Sequence, residues 1–439
     1  MTEVIEKTEY KKGYKKTKLG WIPEEWEECC LKDITTIFGR IGFRGYTKED
    51  IVQKDEGAIS LSPTNIKNER ICYDDNTYIS NFKYEESPEI KIYDDDIIFV
   101  KTGSSYGKSA IIKNIPQKAT INPQLIVFKD IKINRNILFN ILNTNSFNRF
   151  LQKIVVAGAI PTLSQEQIYK YPITLPTKKE QEKIAEILSA WDDGIETLEK
   201  LIEQKEIFHK ALMKNLLIGK IRLFGFSKNS EYKKTKFGSI PVDWQIKPLK
   251  LLFDKRMQKY SGNTEYNIFT NSATKGVVLQ NEYFDRSIVT EENTSNYYVV
   301  REDDFMYNPR ISQNAPAGPI NRNKLGITGI ASPIYTIFKA KYDTIVDFYE
   351  QYFSSNLWNN SMFMVANQGA RHDRLNITNN DFMNMPLPYP PLKEQEKIAN
   401  VLIESYKEIQ ILNSKLEKLK GQKKGLMQKL LTGQIRVKI

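Results

Sequence analysis

Two long amphipathic segments dominate the pattern of apolar and polar positions along this chain. In both, apolar residues recur at spacings of mostly three and four, as they do on the buried face of a helix. The first stripe comprises Ile184, Ile187, Leu188, Trp191, Ile195, Leu198, Ile202, Phe208, Leu212 and Leu216. The second comprises Ile398, Val401, Leu402, Ile409, Leu412, Leu416, Leu419, Leu426 and Leu430. The pattern therefore predicts one long helix in the middle of the chain and one near its end.

Local sequence predicts where both helices begin and end. Thr177 and Glu180 fit a capping box, and the second helix follows a proline pair at 390–391. Gly219 and Gly433 are typical of the left-handed residue that ends a helix. Each helix would be ~60 Å long, too long to be buried in one domain of ~150 residues. We therefore expect an intramolecular antiparallel coiled coil with pseudo-twofold symmetry; packing of each helix on its own body or on another chain is the alternative.

Short β-like runs fill the segment, or body, that precedes each helix. They are separated by clusters of Gly, Pro, Asn and Asp, and helical pattern follows near 135–153 and 345–365. The predicted strands lie at 96–100, 110–112, 125–128 and 334–338. The expected fold class is α+β, with two tandem mixed α/β domains that are each followed by a long helix.

An internal duplication organises these elements. Three motifs occur twice in the same order: KKTKLGWIPEEW (15–26) and KKTKFGSIPVDW (233–244), EQEKIA (180–185 and 394–399), and GKIR (219–222) and GQIR (433–436). The bodies match poorly except at their ends, GAIPTLS (158–164) and GARHDRL (369–375). Matching frames around dissimilar bodies favour one architecture that carries two different recognition surfaces. Old duplication followed by drift is the alternative, but drift would scatter the differences more evenly.

Composition narrows the classes of function. The 439 residues include 64 Lys and Arg against 53 Asp and Glu, a net charge of +11 that indicates an anionic partner such as nucleic acid or a membrane surface. No apolar run approaches the ~18 residues of a membrane-spanning helix, and the first residues do not resemble a secretory signal. Three cysteines and two histidines argue against a disulfide framework, a zinc site and a Ser-His-Asp triad. The expected location is the cytoplasm.

Polar and basic residues gather just after predicted strands, at comparable places in the two bodies. Arg, Lys, Asn and Gln pair with base edges, and Ser or Thr with bases or phosphates. The predicted DNA-contacting residues are Arg40, Arg44, Lys101, Thr102, Ser104, Ser105, Tyr106 and Lys108 in the first body, and Asn308, Arg310, Ser312, Gln313, Asn314, Arg371, His372 and Arg374 in the second. For any single member, an ordinary surface position is the alternative, so the loops are stronger predictions than their members.

Three segments of the sequence resemble catalytic motifs, but each lacks a residue, a spacing or a context that the motif requires. GSSYGKS at 103–109 has three residues between its glycines, where a phosphate-binding loop needs four. LPYPP at 387–391 lacks the Asn expected of a methyltransferase acting on base amines, and it leads into the second helix. The three acids at 94–96 precede a strand and favour a turn over a nuclease cluster. We therefore expect no catalytic residue and no bound metal.

The duplicated frame resembles the specificity (S) subunit of type I restriction-modification systems. The residues that carry this resemblance are GAIPTLSQEQIYKYPITLP (158–176), both EQEKIA helix openings, the closing LLIGKIR and LLTGQIR, and the lead-ins LGWIPEEW (19–26) and FGSIPVDW (237–244). The resemblance covers nearly the whole chain beyond about residue 15. It implies a flexible basic tail (1–14), target-recognition domain 1 (15–176), spacer helix 1 (177–222), target-recognition domain 2 with its lead-in (223–391), and spacer helix 2 with a C-terminal tail (392–439).

The resemblance also implies a division of labour. Each target-recognition domain would read one half of a bipartite, asymmetric double-stranded DNA site, and the helix pair would set the unread gap. Helix-pair packing is expected of Ile184, Trp191, Leu198, Leu212, Ile398, Leu412, Leu419 and Leu426. The helices would also dock methyltransferase (M) subunits, expected to be two, which carry S-adenosylmethionine, and restriction (R) subunits, which use ATP and Mg. The chain itself would have no enzymatic activity, cofactor, small-molecule substrate or membrane partner.

Other classes of function stay open from the sequence. A coiled-coil scaffold with an incidental basic surface would show no specific duplex binding in complex with M. A self-contained methyltransferase or nuclease would be revealed by binding of S-adenosylmethionine to the chain alone. A third alternative is a modification-only or related defence system that lacks an R subunit.

Overall fold

The computed structural model describes residues 12–155, 161–226, 231–235, 238–262, 266–284, 294–366 and 373–439. The chain forms two compact units: unit 1 comprises Met1–Glu199 and Ser414–Ile439, and unit 2 comprises Lys200–Asn413. The division made from the sequence separates the bodies from the helices, whereas these units cut each long helix near its middle. Each unit thus contains one body and half of each helix.

Unit 1 contains most of the strands. They are β1 (Tyr14–Thr17), β2 (Gly20–Pro23), β3 (Glu27–Cys30), β4 (Thr36–Gly39), β5 (Ile51–Val52), β6 (Ala58–Leu61), β7 (Ile66–Lys67), β8 (Arg70–Ile71), β9 (Thr77–Ile79), β10 (Lys91–Ile92), β11 (Ile97–Val100), β12 (Ser109–Ile111), β13 (Ala119–Ile121), β14 (Leu125–Lys129) and β15 (Pro172–Leu175). The helices are α1 (Leu31–Ile34), α2 (Asn81–Glu85), α3 (Arg135–Leu142), α4 (Asn145–Ile154), α5 (Gln165–Tyr169) and the long α6 (Lys178–Leu217), whose second half belongs to unit 2.

Unit 2 follows a similar order of elements. Its strands are β16 (Tyr232–Thr235), β17 (Gly238–Pro241), β18 (Gln245–Pro248), β19 (Phe253–Lys255), β20 (Asn267–Ser272), β21 (Gly276–Leu279), β22 (Tyr298–Val300), β23 (Phe305–Tyr307), β24 (Ile320–Arg322), β25 (Gly329–Ala331), β26 (Thr336–Ala340) and β27 (Pro386–Tyr389). Its helices are α7 (Leu249–Leu252), α8 (Gln280–Tyr283), α9 (Val346–Ser354), α10 (Asn359–Val365), α11 (Asn379–Met383) and the long α12 (Leu392–Leu431), whose second half belongs to unit 1.

The main sheets of the two bodies share a central order of strands. Unit 1 has the orders β4-β14-β11-β12-β8-β7 and β10-β13-β6-β9-β5, and unit 2 has β19-β26-β23-β24 and β21-β20-β25-β22. One sheet of each unit contains a parallel pair at the same place, β6 with β13 and β20 with β25. The predicted mixed α/β fold is confirmed, and the two bodies share it despite their poor match in sequence.

Buried apolar runs and capped helices build the first body. All four residues of β11 are buried, as expected of a strand that is covered on both faces. The Asn134 side chain caps α3 by accepting backbone N–H bonds, and the Thr144 hydroxyl caps α4 by accepting from the Phe147 N–H. The helical region predicted near 135–153 is therefore two helices, separated by the second cap.

Both long helices are unbroken for 40 residues, and they pack antiparallel within each unit. In unit 1, Lys423 Nζ lies 2.5 Å from Asp192 Oδ1. In unit 2, His209 Nδ1 lies 3.1 Å from Ser405 Oγ. Lower numbers of α6 thus meet higher numbers of α12 in both units, and the expected antiparallel helix pair is confirmed.

The buried stripe differs from the predicted one at one place. Phe208 is 58% exposed, whereas its neighbour His209 is buried. A step of seven residues from the buried Ile202 leads to position 209, as in a heptad repeat, so the imidazole and not the phenyl ring faces the partner helix. Among the residues expected in helix packing, Ile184, Leu198 and Ile398 are buried, and Trp191, Leu212, Leu412, Leu419 and Leu426 are half-buried.

The first strand begins at Tyr14, the last residue of the segment expected to be a flexible tail. Tyr14 pairs with Pro23 of β2, and its hydroxyl donates to the Gly433 carbonyl at 2.9 Å. Positions 1–11 lie outside the described residues, so the tail stays a prediction for them.

Candidate nucleic-acid interface

In unit 1, the polar loop after β11 is hydrogen-bonded to the segment that ends the body. The Leu163 N–H donates to the Lys101 carbonyl at 2.9 Å, and the Gly103 N–H donates to the Pro161 carbonyl at 3.0 Å. Thr102 and Thr162 form an antiparallel bridge between these bonds. We call residues 101–109 together with 161–163 face 1. Two segments that the sequence singled out separately therefore form one surface.

Unit 2 repeats this arrangement. The Ile311 N–H donates to the Asp373 carbonyl at 3.0 Å, the Leu375 N–H donates to the Pro309 carbonyl at 2.9 Å, and Arg310 and Arg374 form the antiparallel bridge. We call residues 308–314 together with 373–375 face 2. The loop follows β23, which has the place of β11 in the sheet order. Equivalent backbone thus presents different side chains in the two units.

The predicted residues of face 1 are exposed to different degrees. Ser104 and Lys108 are exposed, whereas Lys101, Thr102, Ser105 and Tyr106 are half-buried. Burial lowers the pKa of the Lys101 ammonium group. Ser104 and Lys108 are therefore the two side chains of this loop that are best placed to meet a partner.

Face 2 is more exposed along its loop. Arg310, Ser312, Gln313 and Asn314 are all exposed, and the Ser312 hydroxyl accepts the Ala315 N–H at 3.2 Å to form a tight turn. The side chain of Arg374 is half-buried, and its Nε lies 3.5 Å from Asp373 Oδ1. A hydrogen bond from Arg374 lowers the pKa of the Asp373 carboxyl group. The predicted residues Arg371 and His372 lie outside the described residues.

Arg40 is not a surface residue, which corrects its prediction as a DNA contact. It is 4% exposed, and its guanidinium donates to the Ile121 carbonyl at 3.1 Å and to the Thr120 hydroxyl at 3.2 Å. Burial lowers the pKa of this guanidinium group. Arg44 is half-buried, with Nη1 3.4 Å from Glu89 Oε1. Arg40 joins two parts of the first body from within.

Asn308 is also buried, and its prediction as a DNA contact is corrected in the same way. Its amide donates to the Asn271 carbonyl at 3.1 Å, and its side-chain oxygen accepts the Arg310 N–H at 3.0 Å. The Asn271 amide in turn donates to the Met306 carbonyl at 2.6 Å. Asn308 therefore holds the start of the face 2 loop in place, and its neighbours carry the exposed groups.

The repeated motifs of the frame meet at a buried carboxylate in unit 1. Trp26 Nε1 donates to Glu180 Oε2 at 2.8 Å, and Arg436 Nε donates to Glu180 Oε1 at 2.6 Å. Burial raises the pKa of the Glu180 carboxyl group, but hydrogen bonds from Arg436, Trp26 and Thr177 outweigh it, so that the pKa is lowered. The Thr177 hydroxyl accepts the Glu180 N–H at 3.4 Å and Glu180 Oε2 accepts the Thr177 N–H at 3.4 Å, as the predicted capping box requires.

Unit 2 contains the same constellation. Trp244 Nε1 donates to Glu394 Oε2 at 3.0 Å, and Arg222 bonds both Glu394 oxygens, at 2.5 and 2.7 Å. Burial lowers the pKa of Arg222, but its bonds to Asp243 and Glu394 raise it overall. We call each Trp–Glu–Arg set a clamp. In each unit, a clamp joins the lead-in, the start of one long helix and the residues that follow the end of the other.

The glycines that follow the long helices fit tightly beside the clamps. Gly219 and Gly433 both have φ of +70°. A Cβ atom at Gly219 would lie 2.6 Å from Pro241, and one at Gly433 would lie 2.5 Å from Pro23. Glycine is therefore required at both positions by backbone conformation and by space.

Neither a metal cluster nor a membrane span is present among the described residues. They contain no group of three or more His, Cys, Asp or Glu side chains that could hold a metal ion. Within the same part of the chain, none of the helices has the length and apolar composition needed to cross a membrane.

The comparison with protein families matches both halves of the chain. The Type I restriction modification DNA specificity domain matches residues 23–206 and again residues 241–421. The chain belongs to this family. It has two tandem specificity domains, and it is a DNA specificity subunit of the type I restriction-modification class.

Two specificity subunits from one organism align with this chain over nearly their whole length. The chain is 28% identical over 450 residues to a Methanocaldococcus jannaschii protein provisionally named as the specificity subunit of the type I restriction enzyme MjaX, with 97% of each chain covered. It is 27% identical over 449 residues to the MjaVIII specificity subunit of the same organism, with 95% of this chain and 94% of that one covered.

Solved structures share the fold. A chain from a study of complex assembly and conformational transition in a type I R-M system aligns with a TM-score of 0.56 at 16% identity, covering 94% of this chain and 99% of that one. The S subunit from M. genitalium aligns with a TM-score of 0.50 at 13% identity, covering 92% and 96%. At such identities these structures support the fold alone.

Proposed function

We propose that each unit of this specificity subunit reads one half of a bipartite double-stranded DNA site, unit 1 through face 1 and unit 2 through face 2. One observation carries this proposal. Both faces are built from the same two segments joined by similar backbone hydrogen bonds, yet their exposed side chains differ. A shared frame with different polar groups is what two independent readers of different sequences require.

The chemistry of the exposed side chains supports reading of base edges. Arg310, Gln313 and Asn314 on face 2 carry guanidinium and amide groups, which can make paired hydrogen bonds to guanine or adenine in the major groove. Face 1 offers Lys108 and Ser104, which suit guanine, phosphate or a base acceptor. The net charge of +11 adds affinity that does not depend on sequence and falls with salt.

We propose that the helix pair sets the unread gap between the two half-sites. Each helix is continuous for 40 residues, and the clamps anchor its ends on the bodies. A continuous helix rises ~1.5 Å per residue, whereas a flexible linker has no fixed length. Inserting one turn in both helices should therefore lengthen the gap and leave both half-sites unchanged.

We propose further that the chain is non-catalytic and works with M and R subunits. In this division, two M subunits would supply S-adenosylmethionine and the methyl transfer to adenine, and R subunits would supply ATP-dependent, Mg-dependent restriction. The three segments that resemble catalytic motifs are all incomplete, which supports the non-catalytic assignment. The three free cysteines suit a reducing compartment, so we place this work in the cytoplasm.

The experiment is single-molecule methylome sequencing of a host that expresses the chain with its neighbouring M subunit. The expected result is one bipartite adenine-methylated motif that disappears when the chain is omitted. A stable M–S complex that methylates no such motif would contradict the proposal and favour a scaffold. Methyl transfer by the purified chain alone would contradict the non-catalytic assignment.

A further inference from the structure

Helix α4 of unit 1 presents an exposed polar face that the sequence did not single out. Asn145, Asn148, Arg149 and Gln152 are all exposed and follow the spacing of one helix face, while Phe147 and Leu151 on the other side are buried. The ten residues of α4 include two cations, Arg149 and Lys153, and no acid. The exposed face thus consists of amide and guanidinium groups.

This helix face is continuous with face 1. Tyr106 from the loop lines a groove of about 650 Å³ together with the four polar residues of α4. The loop approaches closely at Gly107, where a Cβ atom would lie 3.4 Å from Leu151 Cδ1 and 3.8 Å from Asn148 Oδ1. Gly107 also has φ of +91°, a conformation that suits glycine. The loop and the helix therefore present their side chains to the same solvent region.

The composition of this face fits one occupant, the major groove of duplex DNA. The groove admits an α-helix; Arg pairs with guanine through two hydrogen bonds, and Asn or Gln pairs with adenine in the same way. The cations Arg149, Lys153 and Lys108 complement the phosphates beside the bases. A protein partner would be expected to cover a more apolar patch, because interface cores are enriched in aromatic residues.

The counterpart in unit 2 makes the contrast clear. Helix α10 has the same place after β26 and α9 as α4 has after β14 and α3. Its exposed residues include Asn360, Phe363 and Met364, the last being 72% exposed. Apolar side chains there cannot make the paired hydrogen bonds that α4 can. The polar helix face is thus a property of unit 1.

We propose that α4 is a base-reading helix, with Arg149 and Asn148 as specificity-determining residues for the half-site read by unit 1. This inference rests on the proposed function of face 1 and adds a second reading element to it. Arg149 specifies guanine and Asn148 specifies adenine at neighbouring positions of that half-site. Lys153 contacts phosphate and carries no base preference.

The test uses the M–S complex with the full-length chain carrying Arg149→Lys, Asn148→Ala or Lys153→Ala. Arg149→Lys keeps the charge but loses the paired hydrogen bonds. Arg135→Lys is the matched control, because Arg135 is an exposed arginine on α3 of the same unit. Affinity for duplex DNA carrying the wild-type motif, affinity for unrelated duplex and the methylated motif are measured for each variant.

Arg149→Lys and Asn148→Ala should each lower affinity for the wild-type motif about tenfold or more and relax one position of a single half-site. Lys153→Ala should weaken binding to both duplexes alike and reduce the salt dependence, and Arg135→Lys should leave the motif unchanged. An unchanged motif and affinity in both the Arg149 and Asn148 variants would overturn the inference. Weaker binding of M to the Arg149 and Asn148 variants, with an unchanged motif when M is in excess, would also overturn it, because the face would then bind protein. A wild-type complex without any bipartite motif would instead refute the proposed function.

Discussion

The two units share one structural framework but carry different surface side chains. The central strand orders of the main sheets, the bonded segments of faces 1 and 2, the clamps and the helix-ending glycines correspond between them. The side chains on faces 1 and 2 do not correspond, and the exposed face of α4 is polar whereas that of α10 is partly apolar. The shared framework holds the long helices in a similar way in each unit, whereas in the proposed function each surface would meet its own half-site. The features that the units share and the features in which they differ thus lie in separate parts of each unit.

The clamps themselves differ in one respect that can be measured. The Arg222 side chain is 6% exposed and also bonds Asp243, whereas the Arg436 side chain is 35% exposed and lies 3.3 Å from Glu25. Solvent can therefore compensate Arg436 more readily than Arg222 if either loses its glutamate. The frame should be more sensitive to clamp mutations in unit 2.

The largest expected effect comes from Glu394→Ala. Removing the carboxylate leaves the Trp244 indole N–H without its acceptor and leaves the buried Arg222 with the half-exposed Asp243 as its remaining carboxylate partner, so the free energy of unfolding of unit 2 should fall by about 2–4 kcal/mol. Glu180→Ala should cost unit 1 about 1–3 kcal/mol. Urea unfolding followed by tryptophan fluorescence measures both. Equal losses would contradict the comparison between the two clamps.

The next largest effect concerns the ion pair between Asp192 of α6 and Lys423 of α12 in unit 1. The Lys423 side chain is 11% exposed and Asp192 is 41% exposed. Asp192→Asn leaves a buried ammonium group without its partner and should lower the free energy of unfolding by about 2–3 kcal/mol. Lys423→Met leaves an aspartate that water can reach and should cost about 1 kcal/mol or less. Urea unfolding of both variants gives the two losses, and the reverse order would show that burial of the lysine does not decide them.

Gly→Ala substitutions should lower the free energy of unfolding at the glycines that follow the long helices and raise it at a glycine inside α6. Gly219→Ala and Gly433→Ala should each cost about 2 kcal/mol or more, because both glycines have φ of +70° and a proline within 2.6 Å of the added Cβ atom. Gly194→Ala lies inside α6 with open space around the new methyl group, so it should stabilise by about 0.5–1 kcal/mol. Thermal unfolding of the three variants checks the signs. A stabilising effect at position 219 or 433 would contradict this packing in one or both units.

The smallest effect is a pH dependence of the seam in unit 2. Burial lowers the pKa of His209, whose ring faces Ser405 and lies 5.8 Å from the Tyr406 ring. The unfolded chain binds a proton there more readily, so this contribution to stability is present above the ordinary histidine pKa of about 6.5 and is lost as the pH falls below it. His209→Gln should therefore flatten the change in the free energy of unfolding between about pH 7.5 and about pH 5.5. Identical pH profiles of wild type and variant would exclude this role.

Local rules predicted the helices and the loops well. The capping box at Thr177, the proline pair before α12 and the glycines that follow both helices are short-range signals, and the structure contains them where they were expected. The strand before the face 1 loop was found because its buried β-run is continuous and apolar. Local sequence therefore sufficed wherever a few consecutive residues decide the conformation.

Long-range packing decided the features that the sequence predicted wrongly or missed. Arg40 was expected on the surface, but its bonds reach Thr120 and Ile121 across the fold. The unit 1 clamp joins Glu180 to Arg436 over 256 positions. The sequence did contain a signal for this clamp, because all three of its residues lie in duplicated motifs. Duplication alone, however, does not show which motifs contact each other. The face of α4 was missed because the cap that separates it from α3 was not recognised.

The measurement that tests the central claim most directly compares three M–S complexes by methylome sequencing. They contain the wild-type chain, a face 1 variant with Ser104→Ala and Lys108→Ala, and a face 2 variant with Arg310→Ala and Gln313→Ala. All four positions are exposed, so the fold should be retained. Each variant is expected to relax one half of the bipartite motif, and the two variants are expected to relax different halves. A variant that changes both halves, or two variants that change the same half, would contradict independent reading by the two units.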